Sequence, residues 1–286
     1  MDIIHEILIG VRQQVADAKR IRPSTVLERW LKNAPPVLDF KEAVRGGGII
    51  AEIKVKSPSA GMMNPRLVQE SPYAYQESKI VHAVSVLTNK LHFGMIVESI
   101  KSVRKVISKP ILRKDFIIDE YQVLEARAFG ADAILLMAHP DILSPEDFQK
   151  LHSFARSLGL HVLCEVRSED QILTLPKDVE ICGINSRNFD GDIRFALSRL
   201  TGGDFTTVLG AFNLISKLPR DCVKVAESGI NPQNFAKVME MGFDAALIGT
   251  SLLKSPIGIR AELEAFEKVS LQHTGVTRFK REPVSA

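Results

Sequence analysis

Eight short segments rich in β-branched and aliphatic residues recur along the chain, with stretches of helical periodicity between them. They are IIAEIKV from Ile49, AVSVLT from Ala83, PILRKDF from Pro110, AILLMA from Ala133, HVLCEV from His161, ICGINS from Ile181, CVKVAES from Cys222 and AALIG from Ala245. Strands that alternate with helices form parallel sheets, because each helix carries the chain back to the end where the previous strand began, and the next strand then runs in the same direction. Eight such units close a barrel, so the sequence predicts an α/β fold of the (βα)8 TIM-barrel class.

The segments between the strands carry helix signals, and the glycine pattern argues against an open sheet. DEYQVLEARAFG places Tyr121, Leu124 and Ala128 on one helical face before Gly130, and SPEDFQKLHSFARSLG begins with a serine cap and ends at a glycine. An open doubly wound sheet often has a glycine-rich phosphate loop after its first strand. Here KSPSAG follows the first strand and the three glycines at 46–48 precede it, which favours the closed barrel.

Two stretches lie outside the repeat. Residues 1–45 form an extra N-terminal helical segment that ends in APP, and we predict that it lies across one end of the barrel formed by residues 46–268. Residues 269–286 show no periodicity and are predicted to form a flexible tail. One barrel domain accounts for the chain, because barrels of this class typically span about 250 residues.

Composition and charge exclude several classes of function. The chain is 45% hydrophobic and 25% charged, and no apolar run approaches the roughly 18 residues of a membrane-spanning helix. The net charge is +3, with Lys and Arg spread along the chain, which argues against a nucleic-acid partner. The histidines and cysteines show no metal-ligand spacing, so no metal is expected. Cysteines within apolar runs and the lack of a leader pattern predict a cytoplasmic protein.

Polar side chains occur near the carboxyl ends of the predicted strands. The interior of a parallel barrel is apolar, so charged residues there are costly unless they serve a site at that rim. The residues at these positions are Glu52, Lys54, Lys114, Glu165, Asn185, Arg187 and Ser228. Their placement predicts one shared site.

Two pairs within this set are spaced to act together. Glu52 and Lys54 are two residues apart, so both point the same way in an extended strand and can reach one ligand. Asn185 and Arg187 share a face in the same manner and offer an amide and a guanidinium to a carboxylate or hydroxyl groups. The structural alternatives are a salt-bridged strand end for the first pair and loop hydrogen bonding for the second.

Three further residues are interpreted one by one. Lys114 in LRKDF is predicted to be an acid, with its two neighbours facing the surrounding helices, and a Schiff-base role stays open. Glu165 follows the apolar run HVLC and is an acid/base candidate, the alternative being a carboxylate that caps the next turn. Cys164 points away from the face of Glu165, so we expect a buried structural thiol.

The loops after the seventh and eighth strands predict a phosphate site. They read ESGINP and IGTSLLKSP, in which glycine lets the backbone approach a ligand while serine or a helix start donates hydrogen bonds. Ser57, after the first strand, is placed to close the same cradle. The predicted partner is therefore a small molecule that carries a phosphate.

The same segments resemble one protein family across nearly the whole chain. AEIKVKSPSAG, SVLT, PILRKDFIIDEYQVLEARAFGADAILL, INSRN and AESGI occur in that order, and they are similar to indole-3-glycerol phosphate synthase. The resemblance implies ring closure, decarboxylation and dehydration of 1-(2-carboxyphenylamino)-1-deoxyribulose 5-phosphate to indole-3-glycerol phosphate in tryptophan biosynthesis, without a cofactor. It also allows association with other enzymes of the tryptophan pathway.

The resemblance further implies a role for each matching residue. Lys114 becomes the general acid at the sugar carbonyl, and the order of the later proton transfers stays open. The other catalytic residues that it implies are Glu165, Glu52, Lys54 and Asn185. The substrate-binding residues that it implies are Arg187, Ser228 and Phe93. The phosphate-binding residues that it implies are Ser57, Gly229, Gly249 and Ser251.

The match weakens after the second strand. The chain reads TNKLHFGMIVES where the family usually shows an acidic residue, an aromatic pair and Gly-Ser, although Phe93 remains to pack on the substrate ring. The stretch 189–218 is also longer than usual. These departures motivate the alternative of a divergent or catalytically silent paralogue in a specialised pathway or as a binding partner. A sister barrel isomerase is disfavoured, because the first strand ends in Glu and Lys where that enzyme would carry a cysteine.

Overall fold

The computed structural model describes residues 3–187 and 209–277 and contains a closed barrel of eight parallel strands. The strands are β1 (Ile49–Ile53), β2 (Val81–Leu87), β3 (Ile111–Lys114), β4 (Ala133–Met137), β5 (His161–Val166), β6 (Ile181–Asn185), β7 (Val223–Glu227) and β8 (Ala245–Ile248). Ile50 lies opposite Leu247, so β1 pairs with β8 and closes the ring. The predicted strands and the (βα)8 class are confirmed.

The helices surround this barrel in the order that the sequence predicts. They are α1 (Ile3–Ile21), α2 (Ser24–Leu31), α3 (Phe40–Val44), α4 (Pro65–Glu77), α5 (Lys90–Phe93), α6 (Glu98–Arg104), α7 (Glu120–Ala128), α8 (Pro145–Ser157), α9 (Glu169–Leu173), α10 (Pro232–Glu240), α11 (Thr250–Leu253) and α12 (Ile259–Thr277). A 3₁₀ helix spans Leu209–Lys217, and a short hairpin pairs Lys56–Ser57 with Gly61–Met62. Ser144 caps α8 as predicted, because its side chain accepts a hydrogen bond from the Asp147 N–H.

The N-terminal helical segment contacts both ends of the barrel. Near the carboxyl ends of the strands, Lys19 of α1 forms an ion pair of 2.6 Å with Asp119, which precedes α7. Near the amino ends, the Leu38 N–H donates to Asp132, directly before β4, over 2.8 Å. Lys41 of α3 pairs with Glu180, directly before β6. The N-terminal segment therefore contacts the barrel near both the carboxyl and the amino ends of its strands.

Helix α12 continues past residue 268 to Thr277. Val269 packs against the core one helical turn after the buried Phe266. Residues 278–286 lie outside the described residues, as do residues 188–208, which include the first part of the long stretch at 189–218. Within the described ranges, no helix combines the length and hydropathy that crossing a bilayer requires.

Candidate active site

A cavity of about 540 Å³ opens at the carboxyl ends of the barrel strands. Eleven of the twelve residues that the sequence analysis selected line it: Glu52, Lys54, Phe93, Lys114, Glu165, Asn185, Arg187, Ser228, Gly229, Gly249 and Ser251. Strands point alternate residues to opposite faces, so side chains at matched strand ends converge on the barrel axis. The predicted clustering of these residues is thus present in the fold.

Lys114 lies in the middle of three carboxylates. Its Nζ is 3.0 Å from Glu227 Oε2 and 3.7 Å from Glu52 Oε2. Burial alone lowers the pKa of Lys114, but the negative charges of Glu227, Glu52 and Glu165 outweigh it and hold this pKa above the ordinary lysine value. Lys114 is therefore a protonated donor aimed into the cavity.

Glu52 and Lys54 form a buried ion pair on the cavity wall, with 2.6 Å between Oε1 and Nζ. Burial raises the pKa of Glu52, but Lys54 and Lys114 overcome this and bring it to about 2. The pKa of Lys54 falls below its ordinary value because burial disfavours the charged form more than Glu52 restores it. A Cβ at Gly249 would lie 2.3 Å from Glu52 Oε1, so only glycine leaves room for this carboxylate.

Glu227 is a central residue of the site that the sequence analysis missed. It ends β7 with no solvent exposure. Burial raises its pKa to about 7, Lys114 opposes the shift, and Glu165 adds to it. The missed signal is the alternation in VKVAE: Val223, Val225 and Glu227 share one face, so Glu227 points to the barrel axis.

Glu165, at the end region of β5, faces the cavity and is 98% buried. Its Oε1 is 3.2 Å from Nη2 of Arg167, a residue that the sequence analysis did not select. Cys164 next to it is buried and does not line the cavity, and burial raises its pKa. The thiol is therefore protonated and unsuited to nucleophilic attack, in agreement with the predicted structural role.

Asn185 and Ser228 are joined across the ends of β6 and β7. The Ser228 hydroxyl donates to Asn185 Oδ1 over 2.8 Å, and the Arg187 N–H donates to the same oxygen over 3.0 Å. Ser228 has a φ of 76°, a left-handed conformation that a residue other than glycine adopts only at a cost. Together these bonds tie the loop after β7 to the end of β6.

The loops after β7 and β8 form the part of the cavity wall where the phosphate site was predicted. Gly229, Gly249 and Ser251 lie on its wall, and the Ser251 hydroxyl donates to the carboxylate of Glu262 over 2.5 Å. Ser57 is the exception among the selected residues. It is buried beside the cavity without lining it, and its Oγ accepts from the Ala60 N–H over 3.0 Å.

The altered segment after β2 forms the short helix α5. Asn89 caps it by accepting from the His92 N–H, and Gly94 ends it with a φ of 78°. The Phe93 ring reaches the cavity, where it joins an apolar wall with Phe116. The changed residues therefore preserve an aromatic surface at this rim.

Arg113, which precedes Lys114, faces helix α7 as predicted, whereas Asp115, which follows it, lines the cavity as well as contacting Arg113. Arg113 forms ion pairs with Asp115 at 3.2 Å and with Glu125 of α7 at 3.0 Å. The Arg113 Nε–H also donates to the Thr88 hydroxyl over 3.0 Å. This buried network holds the strand on both sides of Lys114.

Comparison with known proteins identifies one family. A family model described as indole-3-glycerol phosphate synthase matches residues 4–262. The chain is 35% identical over 258 residues to indole-3-glycerol phosphate synthase of Bacteroides thetaiotaomicron, covering 89% of this chain and 94% of that one. It is 40% identical over 244 residues to the protein of the same name from Lachnospira eligens, with 83% and 87% covered.

Solved structures support the fold at low sequence identity. The chain is similar to 3-hexulose-6-phosphate synthase from Salmonella typhimurium, with a TM-score of 0.58 and 14% identity over 79% of this chain and 99% of that one. It is also similar to thiamine phosphate pyrophosphorylase from Pyrococcus furiosus, with a TM-score of 0.56 and 16% identity over 82% and 99%. These likenesses establish the barrel architecture alone.

Proposed function

The chain belongs to the indole-3-glycerol phosphate synthase family, and on that premise we propose how the residues of the cavity divide the work of the reaction. The chain is a carboxy-lyase of tryptophan biosynthesis. It closes the ring of 1-(2-carboxyphenylamino)-1-deoxyribulose 5-phosphate and releases indole-3-glycerol phosphate, carbon dioxide and water. The alternative of a catalytically silent paralogue is not favoured, because both the family match and the acid/base residues are intact.

Lys114 is the general acid for ring closure. The aromatic carbon that bears the carboxylate attacks the sugar carbonyl carbon, and the carbonyl oxygen takes a proton from the Lys114 ammonium to become a hydroxyl. The raised pKa of Lys114 keeps this group charged until the oxyanion develops. The single observation that carries the proposal is the position of Nζ, 3.0 Å from Glu227 and inside the cavity.

The later steps fall to the surrounding carboxylates and to Lys54. Loss of carbon dioxide needs no acid, and the apolar wall around Phe93 favours departure of the neutral molecule over the carboxylate. Dehydration then needs a proton for the departing hydroxyl and a base for the adjacent carbon. Glu165 and the Glu52–Lys54 pair are the groups within the cavity for these transfers.

The remaining residues hold the substrate. Asn185 and Arg187 orient the substrate and its carboxylate, and Ser228 supports them through its bond to Asn185. Phe93 packs on the aromatic ring. Gly229, Gly249 and Ser251 face the phosphate with their backbone, whereas Ser57 supports the neighbouring loop from outside the cavity.

The wider assignments follow from the same premise. Residues 1–45 act as an extension of the barrel domain at 46–268, and the protein works in the cytoplasm on a phosphorylated small molecule. Association with other tryptophan-pathway enzymes would follow from the shared pathway.

The test is fluorescence-detected formation of indole-3-glycerol phosphate by the unmodified chain and by Lys114→Met. The unmodified chain should turn over, and kcat should fall by at least about 100-fold in the variant, since it loses both the proton and the positive charge. Lys237→Met, on the exposed side of α10, is the matched control and should keep full activity. Folded chain without turnover at any substrate concentration contradicts the proposal.

A further inference from the structure

The three lysines on the described cavity wall differ in how their positive charges are compensated. Lys54 and Lys114 each have a carboxylate oxygen within 3.0 Å, on Glu52 and Glu227. The third is Lys254, which directly follows α11. Among the described residues, no carboxylate oxygen lies within 4.0 Å of its Nζ. Its charge is available to a ligand.

Lys254 is held at the cavity by hydrogen bonds between the loop after β1 and the segment after β8. Its Nζ donates to the Ala60 carbonyl oxygen, and the Ala60 N–H donates to Ser57 Oγ over 3.0 Å. The Asn64 N–H donates to the Leu253 carbonyl over 3.1 Å. One neutral carbonyl is a weak partner for an ammonium group, so an anion in the cavity would displace it at little cost.

The serine hydroxyls near Lys254 are already engaged. Ser251 and Ser255 both donate to the carboxylate of Glu262, over 2.5 and 3.1 Å. Glu262 itself is 91% buried and lies on the cavity wall. A phosphate dianion placed here meets one carboxylate and two committed hydroxyls, so it requires a nearby positive charge to bind.

We propose that Lys254 is the residue that binds the phosphate group of the substrate, by transferring its ammonium donors from the Ala60 carbonyl to the phosphate oxygens. This inference rests on the proposed function, and it assigns a specific residue to the phosphate group of the substrate. Lys254 contributes the charge, Gly229 and Gly249 contribute close backbone approach, and Ser57 positions Ala60 and through it the lysine. Lys254 is a binding residue, and it takes no part in proton transfer.

The first test measures inorganic phosphate binding by calorimetry for the unmodified chain, Lys254→Met, Lys254→Arg and the control Lys237→Met. The dissociation constant should rise about tenfold in Lys254→Met, stay within threefold in Lys254→Arg and stay unchanged in the control. Circular dichroism establishes that each variant is folded. Equal phosphate binding by folded Lys254→Met and the unmodified chain overturns the inference, and so does an unmodified chain that binds no phosphate.

The second test measures steady-state kinetics with the sugar phosphate. Lys254→Met should raise KM about tenfold and leave kcat within about twofold, because a remote binding contact is lost while the acid/base cluster is intact. A large fall in kcat at constant KM contradicts a binding role. If the unmodified chain binds phosphate through Lys254 but shows no turnover, the proposed function fails and the inference about Lys254 stands.

Discussion

The carboxylate of Glu227 lies directly against Gly183 on the neighbouring strand: a Cβ at Gly183 would come within 2.1 Å of Glu227 Oε1. Gly183 has no positive φ, so the requirement for glycine is one of space and not of backbone conformation. The same close approach leaves the other oxygen of Glu227 3.0 Å from Lys114 Nζ. The strand position of Gly183 thus determines where the partner of Lys114 can sit.

We predict that Gly183→Ala lowers kcat by about 100-fold and changes KM little, because the added methyl group pushes Glu227 away and shifts Lys114 with it. Steady-state kinetics measure both constants. Gly10→Ala is the control: its Cβ would lie 3.3 Å from Cδ2 of Leu91, the tip of a flexible exposed side chain. Near-normal kcat in folded Gly183→Ala would show that the position of Glu227 does not matter.

Glu227 also makes stability depend on pH. Its pKa rises from 4.5 to about 7 on folding, so the folded state binds a proton that the unfolded state releases. This contribution to the free energy of unfolding is on the order of 3 kcal/mol. It is complete below pH 4.5 and is lost as the pH rises to about 7 and beyond. Glu227→Gln cannot ionise, so its free energy of unfolding should fall less than that of the unmodified chain between pH 4.5 and 8. Urea unfolding at several pH values measures the difference, and parallel curves refute the prediction.

Arg22 links the N-terminal segment to the network behind Lys114. It pairs with Glu98 at 2.7 Å and with the buried Glu125 at 3.3 Å, and its guanidinium lies 4.7 Å from the Phe129 ring centre. Arg22→Ala should therefore lower the free energy of unfolding by about 2 kcal/mol. Arg20→Ala, in the last turn of α1 two residues before Arg22, removes a side chain that is 79% exposed and should cost less than about 0.5 kcal/mol. Equal losses in urea unfolding would exclude a role for the network.

Phe93 tests whether the altered rim still binds the aromatic part of the substrate. Phe93→Ala should raise KM about tenfold, because a ring contact and its buried apolar area are lost. The KM of Phe93→Leu should lie between those of Phe93→Ala and the unmodified chain. Leu91→Ala, on the same short helix but 54% exposed and off the cavity wall, is the control. An unchanged KM in Phe93→Ala would place the substrate ring elsewhere.

The sequence predicted the barrel and most of the cavity wall because both follow from periodicity. Alternation along β1 put Glu52 and Lys54 on one face, and the structure joins them at 2.6 Å. The same rule applied to β7 points to Glu227, but the predicted strand CVKVAES extends one residue further, to Ser228, whereas the strand in the structure ends at Glu227. The period of a strand determines which face of the sheet each side chain points to, so residues within the strands could be assigned to the cavity from the sequence.

Positions set by loop packing were not predictable in this way. Ser57 follows β1 and belongs to a hairpin that turns its hydroxyl toward the Ala60 N–H instead of the cavity. Glu262 has the appearance of an ordinary helix glutamate in the sequence, and its contact with Ser251 depends on how α12 packs beneath the last loop. Both outcomes depend on tertiary contacts that a period of 2 or 3.6 residues does not encode.

The contact between Lys254 and the Ala60 carbonyl joins residues 194 positions apart, at the seam where β8 meets β1. During synthesis, Lys114, Glu165 and Glu227 are therefore added to the chain well before Lys254, the residue that completes this seam. A nascent chain that stops short of β8 carries the acid and base side chains but has an open sheet edge in place of a closed mouth. The acid–base residues are thus made early and the seam late, so the growing polypeptide acquires its complete cavity only after Lys254 has been added.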